Sequence, residues 1–219
     1  MRLPEIVYFQ TKTVCNGHCH YCPFDDVYNK GDLPQAEMTF EMYQAVIRWL
    51  SDFGYIGRLG FLLHYEPSLD NRLPDWITWT RKHLPMSGIE MATNGIKQPP
   101  ELWNAVDVVD WVSPGKQSRI TSRAGNVRMC DELKDKKCFS GQPCSLPVNT
   151  MCIAATGEFL LCCQDWRHEA VVGSWQNISA ARSYQLELAE KTETLEICRD
   201  CIAGLSAEEV GNRLGKRQL

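Results

Sequence analysis

The sequence predicts an α/β fold: a truncated, partial (β/α) barrel with a small C-terminal β-hairpin-plus-helix extension. Three observations predict it. Apolar runs of strand length alternate with stretches of helical periodicity from residue 5 to 113. Such alternation builds parallel β/α units joined by right-handed crossovers. Polar residues suited to a site (Gln10, His64, Glu66, Thr93, Asn94 and Ser113) fall where the strands end, which is the functional face of a β/α barrel. After Ser113 the alternation stops, because residues 114–143 are polar and rich in Lys, Arg and Gly. The expected division is therefore 1–135 for the barrel and 136–219 for the extension, with the boundary inside 130–143.

Each element has its own signal. "EIVYFQ" (5–10) reads as the first strand, and the cysteine-rich "CNGHCHYC" (15–22) follows it. Thr39 suits the cap of a helix whose apolar face is Phe40, Tyr43, Val46, Ile47 and Leu50, at three- and four-residue spacing. "RLGFLLHY" (58–65) is apolar enough for a buried parallel strand. A helix through Leu73, Trp76, Ile77, Thr80 and Leu84 is closed by Pro85. Then come a strand "GIEMATN" (88–94), a short helix near 99–105 and a strand "VDVVDWVS" (106–113). "NTMCIAATGEFLLCC" (149–163) reads as a hairpin turned at "ATGE". A helix near 178–193 leads to "CRDC" (198–201).

Bulk properties narrow the function classes. The net charge of −4 argues against a nucleic-acid backbone as the main partner, and the basic "NRLGKRQL" end reads as a solvated tail. No apolar run has the roughly 18 residues of a membrane span, and the first residues lack the layout of a signal peptide. The expectation is a cytoplasmic protein. There are 11 cysteines. An odd count with no sign of export favours metal ligands over disulfides, since reducing compartments keep thiols free of such bonds. Scattered structural thiols are the plainer alternative.

Cys15, Cys19 and Cys22 form C-x3-C-x2-C. Structural zinc takes four ligands, whereas three thiolates on an iron–sulfur cube leave one iron open. With a β/α barrel behind it, this spacing resembles the radical S-adenosylmethionine (radical SAM) superfamily. Tyr21 sits where that family has an aromatic before the third cysteine. "HYEPSL" (64–69) is similar to its Gly-Glu-Pro motif, with Glu66-Pro67 kept and the glycines replaced by His64 and Tyr65. "TNG" (93–95) and Ser113 match the ends of its third and fourth strands. The resemblance implies a [4Fe–4S] cluster on Cys15, Cys19 and Cys22 whose open iron chelates SAM. It also implies an electron donor such as flavodoxin or ferredoxin. Glu66 would accept a hydrogen bond from the SAM amino group, with Asn94 among the contacts. Ser113, with Arg119 or Arg123, would hold the carboxylate, which suits a guanidinium, and Tyr21 would lie near adenine. Read without the resemblance, Glu66 is a surface carboxylate, "TNG" a turn and each arginine a solvated side chain. His64 reads equally as a pocket residue or a packed strand end.

A second set follows: Cys144, twelve residues, Gly157, four residues, Cys162, then Cys198-x2-Cys201. It resembles the auxiliary-cluster extension of radical SAM enzymes, called SPASM in its long form and twitch in its short form. With no cysteine after Cys201, the short form fits. The resemblance implies a second [4Fe–4S] auxiliary cluster, fully ligated by four thiolates. A zinc ribbon on the same residues is the simpler reading. Cys130, Cys138, Cys152 and Cys163 have no assigned role; Cys152 suits a core, and Cys163 competes with Cys162. Barrels of this family usually have about six units, and the few residues between Ser113 and Cys144 leave this one truncated.

The resemblance implies hydrogen-atom abstraction from an unactivated C–H bond by a 5′-deoxyadenosyl radical. The first reading is oxidation of a small metabolite, such as a sugar or cyclitol, as in twitch-type dehydrogenases of aminocyclitols. The second is modification of a ribosomally made peptide, against which stands the short stretch before Cys15. Epimerisation would need a thiol hydrogen donor, for which Cys130 is the candidate catalytic residue. A non-catalytic iron–sulfur or zinc interaction module is the reading from another class, and failure to cleave SAM would favour it.

Overall fold

The structure is a computed structural model and describes residues 1–18, 22, 24–31, 33–111, 144–191 and 195–199. Four parallel strands form its first half: β1 (Ile6–Phe9), β2 (Arg58–Phe61), β3 (Gly88–Thr93) and β4 (Val108–Trp111). Helices α1 (Phe40–Asp52), α2 (Leu73–His83) and α3 (Pro100–Ala105) connect them. A short α4 (Leu146–Asn149) then leads to β5 (Thr150–Ile153), β6 (Glu158–Leu160) and β7 (Val171–Ser174). Next come α5 (Ile178–Ala189) and one turn, α6 (Glu196–Arg199). All the strands form one sheet in the order β4-β3-β2-β1-β5-β6-β7. The expected α/β partial barrel with its hairpin and helix is the fold observed, and the expected boundary at 135/136 lies outside the described residues.

The hairpin does not stand beside the barrel as a separate piece. β5 runs parallel to β1 in unbroken register, Ile6 opposite Thr150 through Phe9 opposite Ile153. All four β5 residues are buried, as expected of a strand flanked on both sides. β6 and β7 continue the sheet antiparallel. Val7, Phe9, Leu59, Ile89 and Met91 share one apolar core with Met151, Ile153, Phe159 and Ile178. Gly157 makes the turn between β5 and β6 at φ +82, and a Cβ there would lie 2.5 Å from Trp175 Cδ1. Turn geometry and this close approach require glycine.

Thr39 caps α1 as expected, its hydroxyl accepting from the Met42 N–H at 3.2 Å. The helix buries Tyr43, Val46, Ile47 and Leu50. Phe40 departs from the expected face. At the first helical position it stays 38% exposed and rests its ring on Trp76 and Trp79 of α2. Tyr43 and Thr80 join the two helices through a buried hydroxyl pair at 2.6 Å.

Two buried ion sites fix the frame. Asp70, just before α2, holds Arg72 through both carboxylate oxygens (2.8 and 2.7 Å) and accepts from Thr11 Oγ1 at 2.7 Å. Arg72 also donates to the carbonyls of Met38 and Thr11, pinning both sides of the cysteine loop. Burial alone would raise the Asp70 carboxyl, but the Arg72 and Thr11 hydrogen bonds outweigh it and hold the group below its ordinary value. Its contribution is therefore complete above the unfolded value of about 3.9 and is lost as pH falls through the folded value. Asp70→Asn is expected to flatten the acid limb of a plot of urea midpoint against pH, with the difference from wild type vanishing at the lowest pH.

Arg182 on α5 is fully buried. Its guanidinium donates to the carbonyls of Arg2, Pro147, Val148 and Thr150 and to Gln185 Oε1. Burial pulls its pKa down to about 10, so it remains charged at neutral pH. The neighbouring Gln185 amide donates to the carbonyls of Thr150 and Leu161. Arg182→Met leaves several buried acceptors without donors. At about 1–3 kcal/mol for a group left unsatisfied, the expected loss exceeds about 3 kcal/mol, read as a large fall in the urea midpoint.

Candidate functional site

The site lies at the C-terminal ends of the strands, where three segments distant in sequence are tied together. β2 leaves the ladder after Phe61, short of the 65 expected, because the next residues bond elsewhere. The Glu66 N–H donates to the Val14 carbonyl at 2.8 Å, directly ahead of Cys15. Glu66 Oε1 accepts from the Ser68 N–H at 3.1 Å and from Thr93 Oγ1 at 2.6 Å. Its Oε2 accepts from the Asn94 N–H at 2.7 Å. Asn94 Nδ2 then donates to Asn16 Oδ1 at 2.9 Å, on the far side of Cys15. Glu66 is 1% exposed, which removes the reading of a surface carboxylate. A carboxylate has about four acceptor positions, and these donors occupy three of them. Beside it, the buried Ser68 Oγ has no hydrogen-bond partner among the described residues.

Cys15 and Cys22 are both half-buried and pack against one apolar cluster of Phe24, Val27, Tyr28 and Trp166. The Gly17 N–H points at Cys15 Sγ at 3.4 Å, a contact that favours a thiolate. His18 and Asn29 both bond Asp25, pinning the single turn Asp25–Asn29 that follows Cys22. Of the other expected site residues, Cys19, Tyr21, Ser113, Arg119, Arg123, Cys130 and Cys201 lie outside the described residues, as does Cys138. Cys144 is half-buried ahead of α4, Cys162 is buried just past β6, and Cys198 is half-buried in α6. Cys152 is fully buried in the sheet, and burial pushes its thiol well above the ordinary range. Cys163 packs beside it, against Leu63, Ala154 and Leu160.

Sequence reasoning missed part of the constellation. The loop after β6, "CCQDWRHEA", returns over the strand ends and is held by Asp165, which accepts the N–H groups of Glu169 and Ala170. It stacks Trp166 on His64, rings 3.9 Å apart, and sets His168 at φ 54. Tyr28 comes from the turn after Cys22, and its hydroxyl meets His64 Nδ1 at 3.4 Å and His168 Nε2 at 3.3 Å. Gln10 Nε2 donates to that hydroxyl at 3.1 Å and to the His64 carbonyl at 2.9 Å. Burial holds the Tyr28 phenol above its ordinary pKa, so it stays protonated. His64, 2% exposed, is thus a bonded strand-end residue inside a polar network. Its only signal in the sequence was a histidine where the resembled motif has glycine. The other clue was a polar–aromatic loop directly after a cysteine pair.

No protein-family model matches the chain. A curated S-adenosyl-L-methionine-dependent 2-deoxy-scyllo-inosamine dehydrogenase from Niallia circulans is 27% identical over 94 residues, 43% of this chain. The match spans only 36% of that protein's length. Among solved structures, the chain is similar to BtrN in complex with AdoMet and 2-DOIA, with TM-score 0.72 and 17% identity over 96% of this chain and 97% of that one. BtrN in an open conformation gives 0.66 and 19%, over 91% and 92% of the two chains. AnSMEcpe with bound AdoMet gives 0.52 and 10%, over 92% of each. These likenesses place the fold as a radical SAM partial barrel.

They also correct the sequence reading. That reading resembled the chain to a radical SAM enzyme with an added twitch- or SPASM-type cluster domain. The likenesses support the radical SAM fold and do not show such a domain. In the described residues the hairpin is instead part of the barrel's own sheet, through β5 on β1, and shares its core. The spacing from Cys144 through Gly157 to Cys162 suggested a separate unit because spacing does not reveal which strand a strand pairs with. Gly157 has its own reason in the turn against Trp175. Among the described residues no helix is long and apolar enough to cross a membrane.

Proposed function

We propose that this chain is a radical SAM enzyme that dehydrogenates a small polyhydroxylated metabolite of the sugar or cyclitol class. The observation that carries the reading is the tie from Val14 and Asn16, on either side of Cys15, through Glu66 to Thr93 and Asn94. It gathers at one end of the barrel the loop that would hold a cluster and the groups that would hold SAM. Cys15, Cys19 and Cys22 would hold the first [4Fe–4S] cluster. When bound, that cluster and SAM supply a 5′-deoxyadenosyl radical, the step in which the protein binds and shields.

The chain's own groups suit that task. Glu66 keeps an acceptor position for the amino group of SAM, and the unpartnered Ser68 Oγ beside it fits a polar ligand atom. Asn94 holds the strand end against the cysteine loop. Tyr21, Ser113, Arg119 and Arg123 are the remaining proposed SAM contacts. Phe24, Tyr28 and Trp166 form the dry wall behind Cys15 and Cys22. Cys144, Cys162, Cys198 and Cys201 are proposed to hold a second [4Fe–4S] cluster, fully ligated, that accepts the electron a dehydrogenation releases. A flavodoxin or ferredoxin is the proposed donor to the first cluster. The name of the Niallia circulans relative, a dehydrogenase of an inosamine, supports both the reaction and the substrate class. Cys130 would matter only for a hydrogen-returning reaction, which this reading does not use.

The test is anaerobic reconstitution, iron and sulfide analysis, then reduction with SAM and a panel of aminocyclitols. About eight irons and eight sulfides per chain, two cubanes' worth, with 5′-deoxyadenosine and a ketone product, is the expected result. About four irons would remove the second cluster. Iron-loaded protein that leaves SAM intact under reduction would overturn the reading altogether.

A further inference from the structure

Trp166 carries a buried donor with nothing to donate to. The residue is 2% exposed, and its Nε1 has no hydrogen-bond partner among the described residues. A buried indole N–H ordinarily finds an acceptor, and a donor left unmet is rare enough to call for an explanation. The indole is also held firmly. Its ring lies on the His64 imidazole at 3.9 Å, with 21° between the planes. Its backbone N–H donates to the Gln164 carbonyl at 3.0 Å. The preceding Asp165 carboxylate accepts from the N–H groups of Glu169 and Ala170. A side chain held at its face and at its backbone does not swing its N–H out to water.

The neighbours narrow what can accept. An indole N–H lies in the plane of the ring, so the stacked His64 meets a face of Trp166 and not its donor. The rest of the cluster is Phe24, Val27, Tyr28 and Leu33, with Cys15 and Cys22. Phe24, Val27 and Leu33 have apolar side chains. The Tyr28 hydroxyl is already engaged by Gln10, His64 and His168. Sulfur is the acceptor chemistry that remains, brought by Cys15 and Cys22. A thiol sulfur accepts only weakly, which agrees with an unmet donor. The thiolates and sulfides of a cubane carry negative charge and accept well.

We infer that the Trp166 indole N–H donates a hydrogen bond to a sulfur of the [4Fe–4S] cluster proposed on Cys15, Cys19 and Cys22, and thereby raises that cluster's reduction potential. The inference rests on that proposed cluster. Hydrogen bonds to the sulfurs are one of the levers that set such potentials. One electron entering the cluster makes its sulfurs more negative. The bond is then stronger in the reduced form, and reduction becomes easier. The cysteine loop supplies its own donor, the Gly17 N–H, to Cys15 Sγ. Trp166 adds one from a segment distant in sequence, the loop after β6. His64 acts through Trp166, by fixing the plane of its ring, and is a positioning residue.

The test is pulsed EPR of the reduced, full-length holoprotein labelled with indole-¹⁵N tryptophan. The signal to follow is the one that Cys22→Ala abolishes. All seven tryptophans carry the label, and one ¹⁵N coupling is expected on that signal, absent in Trp166→Phe. A redox titration of the same signal should find Trp166→Phe about tenfold harder to reduce, a midpoint lower by about 59 mV for one electron. Iron content should be unchanged. A wall with no donor role predicts the opposite sign, because a smaller ring admits water, which favours the more negative reduced form. Trp166 is the tryptophan packed with Cys15 and Cys22, so the wild-type coupling decides even where Trp166→Phe folds poorly. No ¹⁵N coupling, or a midpoint unchanged or raised, overturns the inference while the cluster stands. A coupled ¹⁵N in a protein that leaves SAM intact counts against the dehydrogenase reading alone. A signal that survives Cys22→Ala overturns the cluster assignment and this inference with it.

Discussion

Cys22→Ala is expected to lose about four irons per chain, one cubane, and to reduce SAM cleavage to background while the fold survives. Cys22 is half-buried against Phe24, Tyr28 and Trp166, so removing one sulfur from that wall costs about 1 kcal/mol, at the small end of large-to-small changes. The urea midpoint of the iron-free protein should therefore fall by only about 0.3–1 M, since urea m-values run about 1–3 kcal/mol/M. On the proposed assignment, a cubane left with two thiolates instead of three would be lost or loosely held, and SAM cleavage with it. Cys152→Ala is the matched control, since Cys152 is buried inside the sheet and outside both proposed ligand sets. It should keep the full iron content and be the less stable of the two. Equal iron in Cys22→Ala and wild type would refute the assignment of the loop.

Glu66→Gln should damage binding and fold together. The carboxylate accepts backbone N–H groups on both oxygens, Ser68 on one and Asn94 on the other. A glutamine has a single acceptor oxygen, and its NH₂ must face one of those fixed donors. The Thr93 hydroxyl can rotate away; a backbone N–H cannot. One buried donor is left unmet, at about 1–3 kcal/mol. The lost charge also weakens any hydrogen bond to an ammonium group, by about 1.5–3 kcal/mol. At 1.4 kcal/mol per factor of ten, SAM affinity should fall by roughly 10- to 100-fold. Isothermal titration with SAM, beside a urea melt, separates the two losses. A stability loss with unchanged SAM affinity would make Glu66 a strand tie and nothing more.

Much of the barrel was readable because its signals are local. Thr39 before an apolar face at helical spacing, Pro85 after the next helix and "ATGE" between two apolar runs each specify an element within a few residues. Glu66 and Asn94 were readable through motif order, which fixed their place at strand ends before any contact was known. Other features depend on meetings between distant residues. β5 reads as half of a hairpin whether or not it also pairs with β1, because a strand's second edge leaves no periodic trace. β2 reads as running to Tyr65, yet the bonds from Glu66 to Val14 and from Gln10 to the His64 carbonyl draw the chain out of the ladder. Tyr28, Trp166 and His168 carry no motif at all. They matter because the turn after Cys22 and the loop after β6 close over the same strand ends.

The place of β1 in the sheet also sets a schedule for synthesis. β1 leaves the ribosome before the other strands of its sheet, and β2 can join it once Phe61 is out. Its other neighbour, β5, begins only at Thr150. At 5–20 residues per second, one long edge of β1 waits on the order of ten seconds for its partner. During that interval the nascent chain exposes unpaired backbone and the apolar face of Val7 and Phe9, the kind of edge that recruits other strands. Slow translation through the region before Thr150 lengthens the exposure, and a chaperone that shields the edge shortens it. Soluble yield on overexpression should thus respond to codon speed and chaperone supply over that stretch more than over the first half-sheet.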